Sequence, residues 1–377
     1  MVNLTSLIAS TVAQPSGWWA AIYNWIEGFI VNYGWTILVF TVFVRLIMLP
    51  LDFYNRYSSR KNNFIQKRLT GQVQRINEKN KNNQQKANQE VQALYKKEGY
   101  NMVGTCVFSI INIVVTLFVF ISFFNTLRDI SAYKMVEQYT ILNTTYNECQ
   151  EAGYSTEQTN ETIVQKYNEI TKNNHWLWVN NVWKNDSSVS IVPNYNALKD
   201  ATSSASDKKY KNTYFNEESE LFITEEQYNK VMTPVIEAHK GWNGYFILPV
   251  LAGVFAFLSQ FLSDLSNKSK KAKQINVQTQ TEAQMQGTMK IMKLILPIIS
   301  VIFAITNPAA FGIYLIASSL MGIITNLLIG IIVNKMTQKE EQKYLDYLEK
   351  EALYQLKHKK QNKPTMVNYK QIGGSLK

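Results

Sequence analysis

Apolar residues gather along this chain into four tracts, and charges and amides crowd the stretches between them. The tracts Phe29–Leu51, Val103–Phe124 and Tyr245–Leu262 are each about 18–23 residues long. A helix needs roughly 20 apolar residues to cross a bilayer core of about 30 Å. The fourth tract, Met289–Val333, is long enough for two helices and is interrupted at Asn307-Pro308. Proline donates no backbone hydrogen bond and disfavours helix in the residue before it, so the break falls there. The pattern predicts an all-α polytopic membrane protein with five transmembrane helices at 29–51, 103–125, 244–264, 289–306 and 310–334, the last two joined by a turn at 307–309. Buried helices of a soluble protein are the alternative, and uninterrupted tracts of this length argue against them.

The polar stretches carry weaker patterns. Residues 1–28 hold no Lys or Arg, so the basic start of a standard signal peptide is missing. Within them Trp18, Trp19, Tyr23 and Trp25 surround one acid, Glu27, which suits a short helix lying at a membrane surface or the aromatic start of the first span. The 52–102 segment interleaves Asn, Gln and Lys without proline; Val73 with Ile76, and Val91 with Leu94, leave two thin apolar stripes. That reads as a helical hairpin broken near 77–88, or as a disordered basic loop. Residues 126–243 begin helix-like, pass through the aromatic run His175–Trp183 and continue into a Ser/Lys/Asp-rich stretch near Lys199–Lys211 that predicts a mobile loop. The aromatic run fits either a membrane interface or the core of a small domain. In the tail, 335–377, Leu345, Leu348, Ala352 and Leu356 share a helix face before the basic Lys357-His358-Lys359-Lys360 and Lys363. Those lysines suit lipid headgroups or RNA phosphates, or a bare solvated tail.

Composition sharpens the arrangement. The formal net charge is +11, yet it is distributed very unevenly. Residues 51–101 carry eleven Lys/Arg against four Asp/Glu, residues 264–293 six against two, and residues 335–377 ten against five. The long 128–243 segment carries eleven against sixteen. Basic loops stay cytoplasmic, so the N-terminus and the acidic segment lie outside, while the hairpin, the 265–288 loop and the tail lie inside. Cys106 sits in an apolar tract and Cys149 in a polar one, so a disulfide between them is not expected. No metal-type Cys or His spacing, phosphate loop or hydrolase motif is present, and nothing reads as an enzyme or calls for a cofactor.

One charge lies inside a span. Arg45 is six residues before Leu51, roughly 9 Å along the helix axis, where an ionised group costs at least a few kcal/mol. Snorkelling to the inner interface is one explanation. A polar lining is the other: Thr105, Ser109, Asn112 and Thr116 share one face of the second span, and Thr41 is one turn from Arg45. Ser259, Gln260 and Ser263 mark the third span, and Ser318, Ser319, Thr325 and Asn326 the last. Such groups also serve as ordinary interhelical hydrogen bonds. No Asp or Glu lies at the depth of Arg45, so the lining points to a hydrated, cytoplasm-open groove whose fixed positive charge suits an acidic guest.

These residues resemble the YidC/Oxa/Alb family of membrane protein insertases. The similarity runs through Asn32-Tyr33-Gly34-Trp35, the arginine followed by Pro50-Leu51, Leu94-Tyr95-Lys96-Lys97 with Asn101, Cys106, Trp176-Leu177-Trp178-Val179 with Asp186, Met289–Met292 to Pro297, then Pro308 and Tyr314. It covers roughly residues 18–335. The chain departs from the family pattern at Phe108, where a proline is expected, at Asn112 in place of a groove glutamine, at Ala310 and Leu315, and in its longer outer loop.

The resemblance implies a client-binding groove built from Arg45, Thr41, Ser109, Asn112, Thr116, Gln260 and Ser319, which passes nascent membrane proteins into lipid without ATP hydrolysis. It also implies a cytoplasmic tail whose Lys357, Lys359, Lys360 and Lys363 contact the ribosome or lipids, and it makes the Sec translocon a candidate partner. The rivals are a small-anion transporter or channel using Arg45, for which no internal repeat is seen, and a structural scaffold.

Overall fold

The computed structural model describes residues 12–100, 102–268 and 295–361. Among their side chains it leaves out those of 63, 67, 102–106, 108–109, 263–268, 340–341, 344–345 and 347–361. Among the described residues there is no β-strand, only isolated bridges at Trp176–Val179 and Ser190–Lys240. The helices are α1 (Trp18–Glu27), α2 (Tyr33–Lys79), α3 (Gln84–Lys97), α4 (Met102–Glu151), α5 (Thr156–Thr171), α6 (Tyr195–Ser204), α7 (Lys209–Tyr214), α8 (Glu225–Ala238), α9 (Ile247–Lys268), α10 (Ile295–Thr306) and α11 (Ala309–Gln361). Parts of α2, α4 and α11, namely Tyr33–Gln66, Ile110–Glu151 and Ala309–Lys339, are long and apolar enough to cross a membrane. Ile247–Leu262 and Ile295–Thr306 are shorter apolar helices.

Several helices run past the boundaries expected from hydropathy. α2 passes straight through Pro50 to Lys79, so the span and the first arm of the polar segment are one helix. The turn then falls at residues 80–83, tighter than the 77–88 break expected. Asn83 sets it by accepting the Lys86 N–H at 3.0 Å and starting α3. α4 likewise continues beyond residue 125 to Glu151, because 126–151 contain neither Gly nor Pro and keep apolar residues at helical spacing. The break at Asn307-Pro308 lies where the sequence places it. The start of the expected 289–306 span and most of the 265–288 loop lie outside the described residues.

The chain forms two compact units, residues 54–106 with 328–377, and residues 1–53 with 107–327. In the first, Arg60 donates to Thr337 Oγ1 at 2.7 Å and to Asn334, and Gly330 leaves room beside Arg56. Arg68 pairs with Glu98, and Gln66 donates to the Tyr100 hydroxyl at 2.8 Å.

In the second unit, α1 buries Trp19, Ala20, Tyr23 and Ile26, one face of a helix. Trp19 and Tyr23 meet Phe40 of α2 edge-on, and Trp19 also meets Phe123 of α4. The buried Lys134 fixes the helix ends: its ammonium is 2.9 Å from Glu27, 3.6 Å from Glu137 and above the Tyr33 ring. α9 packs on α10 and α11 where side chains are small. Gly253 faces Val301, Gly312 faces Leu248, and Gly322 faces Ser259.

The 126–243 segment folds as a small helical domain. Tyr139 stacks on Tyr228, and Ile163, Tyr167, Val231 and Val235 fill the core. Ser155 and Gln158 form a capping box on α5. The stretch near Lys199–Lys211, expected as a mobile loop, is instead largely two short helices. Asn194 caps α6 through the Ala197 N–H, Asp129 accepts from Ser206 N and Asp207 N, and the Tyr210 hydroxyl reaches Ala13 O at 2.9 Å. Buried Leu198 and Tyr210 supply apolar anchors that a composition-based reading overlooks.

Candidate functional site

Arg45 is held where α2 meets α11. The buried face of α2 runs through Ile37, Phe40, Thr41, Val44 and Met48, and half-buried Arg45 lies at its edge. Its Nε donates to Ser318 Oγ at 3.0 Å, and Nη2 donates to the same oxygen. Tyr314, one turn earlier on α11, also engages Ser318. Among the described residues no carboxylate pairs with Arg45. A hydroxyl accepts hydrogen bonds but cannot neutralise a guanidinium, so among the described residues nothing compensates the positive charge.

Toward the N-terminal end of α2 the packing becomes aromatic. Phe40 stacks on Phe123 at 4.8 Å, Phe123 lies 4.4 Å from Tyr314, and Phe124 lies 4.7 Å from both Phe303 and Phe311. Thus α2, α4, α10 and α11 close on one another about 7.5 Å along α2 from Arg45.

Beyond the aromatic layer, residues 173–188 tie the helix ends together. Asn32 Nδ2 donates to His175 O at 2.6 Å and Tyr33 N to Asn173 O at 3.2 Å. A Cβ on Gly34 would lie 2.2 Å from Trp176 Cγ, so only glycine lets that indole lie on the helix. Ala309 N and Ala310 N, two donors that the start of α11 leaves open, give to Lys184 O and Val182 O at 2.8 Å. Asn185 Nδ2 and Ser187 Oγ both give to Ile305 O at the end of α10. Asn243, fully buried before α9, accepts from Asn181 N at 2.7 Å and donates to Asn181 O, Lys184 O and Asn185 O at 2.8–3.1 Å. Asp186 accepts from Leu248 N in the first turn of α9, while its Oδ1 packs against Gly244 without a hydrogen bond. Burial pushes the Asp186 carboxyl up to about 6. One segment therefore clasps the starts of α2, α9 and α11 and the end of α10.

Among the described residues the other sequence-predicted groove residues make no hydrogen bond to Arg45. Thr41 is fully buried, and its hydroxyl returns to Ile37 O at 2.7 Å. Thr116 donates to Asn112 at 3.4 Å along α4. Gln260 and Ser319 are half-buried. The side chains of Ser109, Lys357, Lys359 and Lys360, and all of Lys363, lie outside the described residues. Ser318 rather than Ser319 receives the arginine. The available signal was its place one turn after Tyr314 and two turns before the buried Thr325.

Residues 25–339 match the family model described as 60Kd inner membrane protein, the YidC/Oxa/Alb family. The chain belongs to that family. With its apolar helices, membership places it in a membrane. Proteins called membrane protein insertase YidC are similar over shorter stretches. The one from Cupriavidus taiwanensis is 36% identical over 102 residues, 27% of this chain and 17% of that protein. The one from Aromatoleum aromaticum is 31% identical over 115 residues, 30% of this chain and 19% of that protein, and the one from Chlorobium limicola 33% over 85 residues, 22% and 14%. Each alignment thus spans under a fifth of the relative's length. No solved structure matches the chain.

Proposed function

We propose that this chain is a membrane protein insertase that uses Arg45 to draw an acidic segment of a client into the bilayer. The observation that carries the reading is a guanidinium held between two apolar helices by a neutral hydroxyl, which Tyr314 of the aromatic layer also engages. A charge in a medium of lowered dielectric attracts an opposite charge more strongly than in water. The aromatic layer formed by Phe40, Phe123 and Tyr314 closes the far side, so a guest enters from the cytoplasmic side, and its apolar helix passes sideways into lipid. Partitioning of that helix supplies the free energy, with no nucleotide hydrolysed. The relatives' name, membrane protein insertase, supports the same assignment.

In this reading Asn112, Thr116, Gln260, Ser319 and Ser109 wet the path taken by the client's polar tail. The α2–α3 hairpin receives clients in the cytoplasm, the basic tail with Lys357, Lys359, Lys360 and Lys363 meets ribosomal RNA or anionic lipid, and a Sec channel is a further partner. The test is insertion of a single-span client with an acidic outer tail into vesicles carrying wild type, Arg45→Ala or Arg45→Lys. Insertion should fall about tenfold in the alanine variant and be partly restored by lysine, a difference of about 1.4 kcal/mol in barrier. Full-rate insertion by both variants would overturn the assignment. Arg45-dependent uptake of small anions would establish the transporter reading instead.

A further inference from the structure

The turn entering α9 holds three large aromatics outward on a strained backbone. Tyr245 and Phe246 have φ of 61° and 62°, the left-handed region that bulky L-residues rarely adopt. Yet neither ring is buried: Trp242, Tyr245 and Phe246 are 44%, 61% and 40% exposed, while Asn243 and Gly244 between them are fully enclosed in the clasp. Trp242 stacks on Tyr245 at 6.4 Å and lies tilted beside Phe246 at 6.0 Å, so the three rings form one patch. Strain that turns aromatic side chains away from a core makes sense when something outside receives them.

What receives them follows from the helix below. Ile247, Val250, Val254, Phe257, Leu258 and Phe261 continue the patch as an exposed apolar stripe along α9, the face such a helix offers to lipid tails. The apolar part of α9, Ile247–Leu262, is also short. At 1.5 Å per residue it spans about 24 Å, against a hydrocarbon core of roughly 30 Å. Aromatic rings with a polar edge favour the headgroup boundary, and exposed Lys240, close before the patch, suits lipid phosphate.

We propose that Trp242, Tyr245 and Phe246 form an outer-leaflet lipid anchor that sets the depth of the short helix α9. The left-handed turn lets the rings extend its apolar length without adding a helical turn. The clasp residues Asn243 and Gly244 hold the turn from the protein side. The anchor requires that α9 lies in a membrane with residues 126–243 on its outer side, and it does not depend on the insertase reading.

Depth-dependent quenching tests it. The full chain and its Trp242→Phe variant are reconstituted into phosphatidylcholine vesicles with bromines at the 6,7, 9,10 or 11,12 positions of one acyl chain. The difference in emission between the two proteins isolates Trp242 from the other seven tryptophans. Quenching of that difference should be strongest with the 6,7-dibromo lipid and weaken with depth. A difference unquenched by every brominated lipid, or quenched most by the 11,12 lipid, overturns the anchor. Should Trp242→Phe fail to accumulate, Tyr245→Trp in the wild-type chain reads the same depth by the emission it adds, with the same expected and refuting outcomes.

Discussion

Replacing Asn243 with alanine probes the clasp at its centre. The side chain accepts from Asn181 N and shares its two amide protons among the carbonyls of Asn181, Lys184 and Asn185. The carbonyls have other donors, Lys184 N on Asn181 O, Ala309 N on Lys184 O and Ser188 N on Asn185 O, so the variant weakens them without orphaning them. Asn181 N–H is different, because the buried Asn243 oxygen is the acceptor recorded for it. An orphaned buried donor costs about 2 kcal/mol, and three lost second bonds add about 0.5 kcal/mol each, giving about 3–4 kcal/mol. Asn243→Asp sharpens the test. It keeps an acceptor for Asn181 N–H but replaces the amide donor with a carboxylate oxygen facing three carbonyl oxygens, so at neutral pH it should be at least as damaging as alanine. Unfolding by sodium dodecyl sulfate from mild-detergent micelles, followed by tryptophan emission, gives the order wild type, then alanine, then aspartate. An Asn243→Asp protein as stable as wild type would show that the donated bonds do not hold the clasp.

Three further outcomes follow from the geometry. Gly34→Ala places a Cβ 2.2 Å from Trp176 Cγ and should cost about 3 kcal/mol or more in the same unfolding measurement, with the tryptophan emission of the native state shifted as the indole is displaced. Asp186 titrates near 6 in the folded protein, above its ordinary 3.8, so the native state binds that proton more tightly than the unfolded chain. Its contribution therefore favours the native state as pH falls from about 6 toward 4, by on the order of 2 kcal/mol. Subtracting an Asp186→Asn titration from that of wild type isolates this trend, and a difference that does not vary with pH refutes it. Ser318→Ala removes the hydroxyl that accepts from Arg45, so insertion of an acidic-tailed client should fall two- to fivefold while Arg45 remains, as measured in the vesicle assay.

The apolar tracts and the Asn307-Pro308 break were legible because each is a local signal, a run of side chains or a missing N–H. Arg45 stood out as a lone ion within an apolar run. What escaped was carried by longer-range or non-periodic features. α2 continues through Pro50, a residue that sequence rules treat as a stop. The clasp uses Asn and Ser side chains against main-chain carbonyls some 60–145 residues apart, so neither hydropathy nor helical period marks it. The choice between Ser318 and Ser319 depends on the rotation of α11, which the aromatic contacts of Phe311 and Tyr314 decide. The α6–α7 region shows the same effect, since one buried tyrosine and a distant aspartate order a stretch whose composition is that of a loop.

The central claim is that Arg45 acts through its charge on an acidic client. The most direct measurement varies the number of carboxylates in the outer tail of one single-span client and follows its insertion by wild type and by Arg45→Ala at equal protein levels. Insertion by wild type should rise with the first tail carboxylate by about tenfold over a neutral tail, and the alanine variant should show no such rise. The same dependence on tail charge in both proteins would contradict the account.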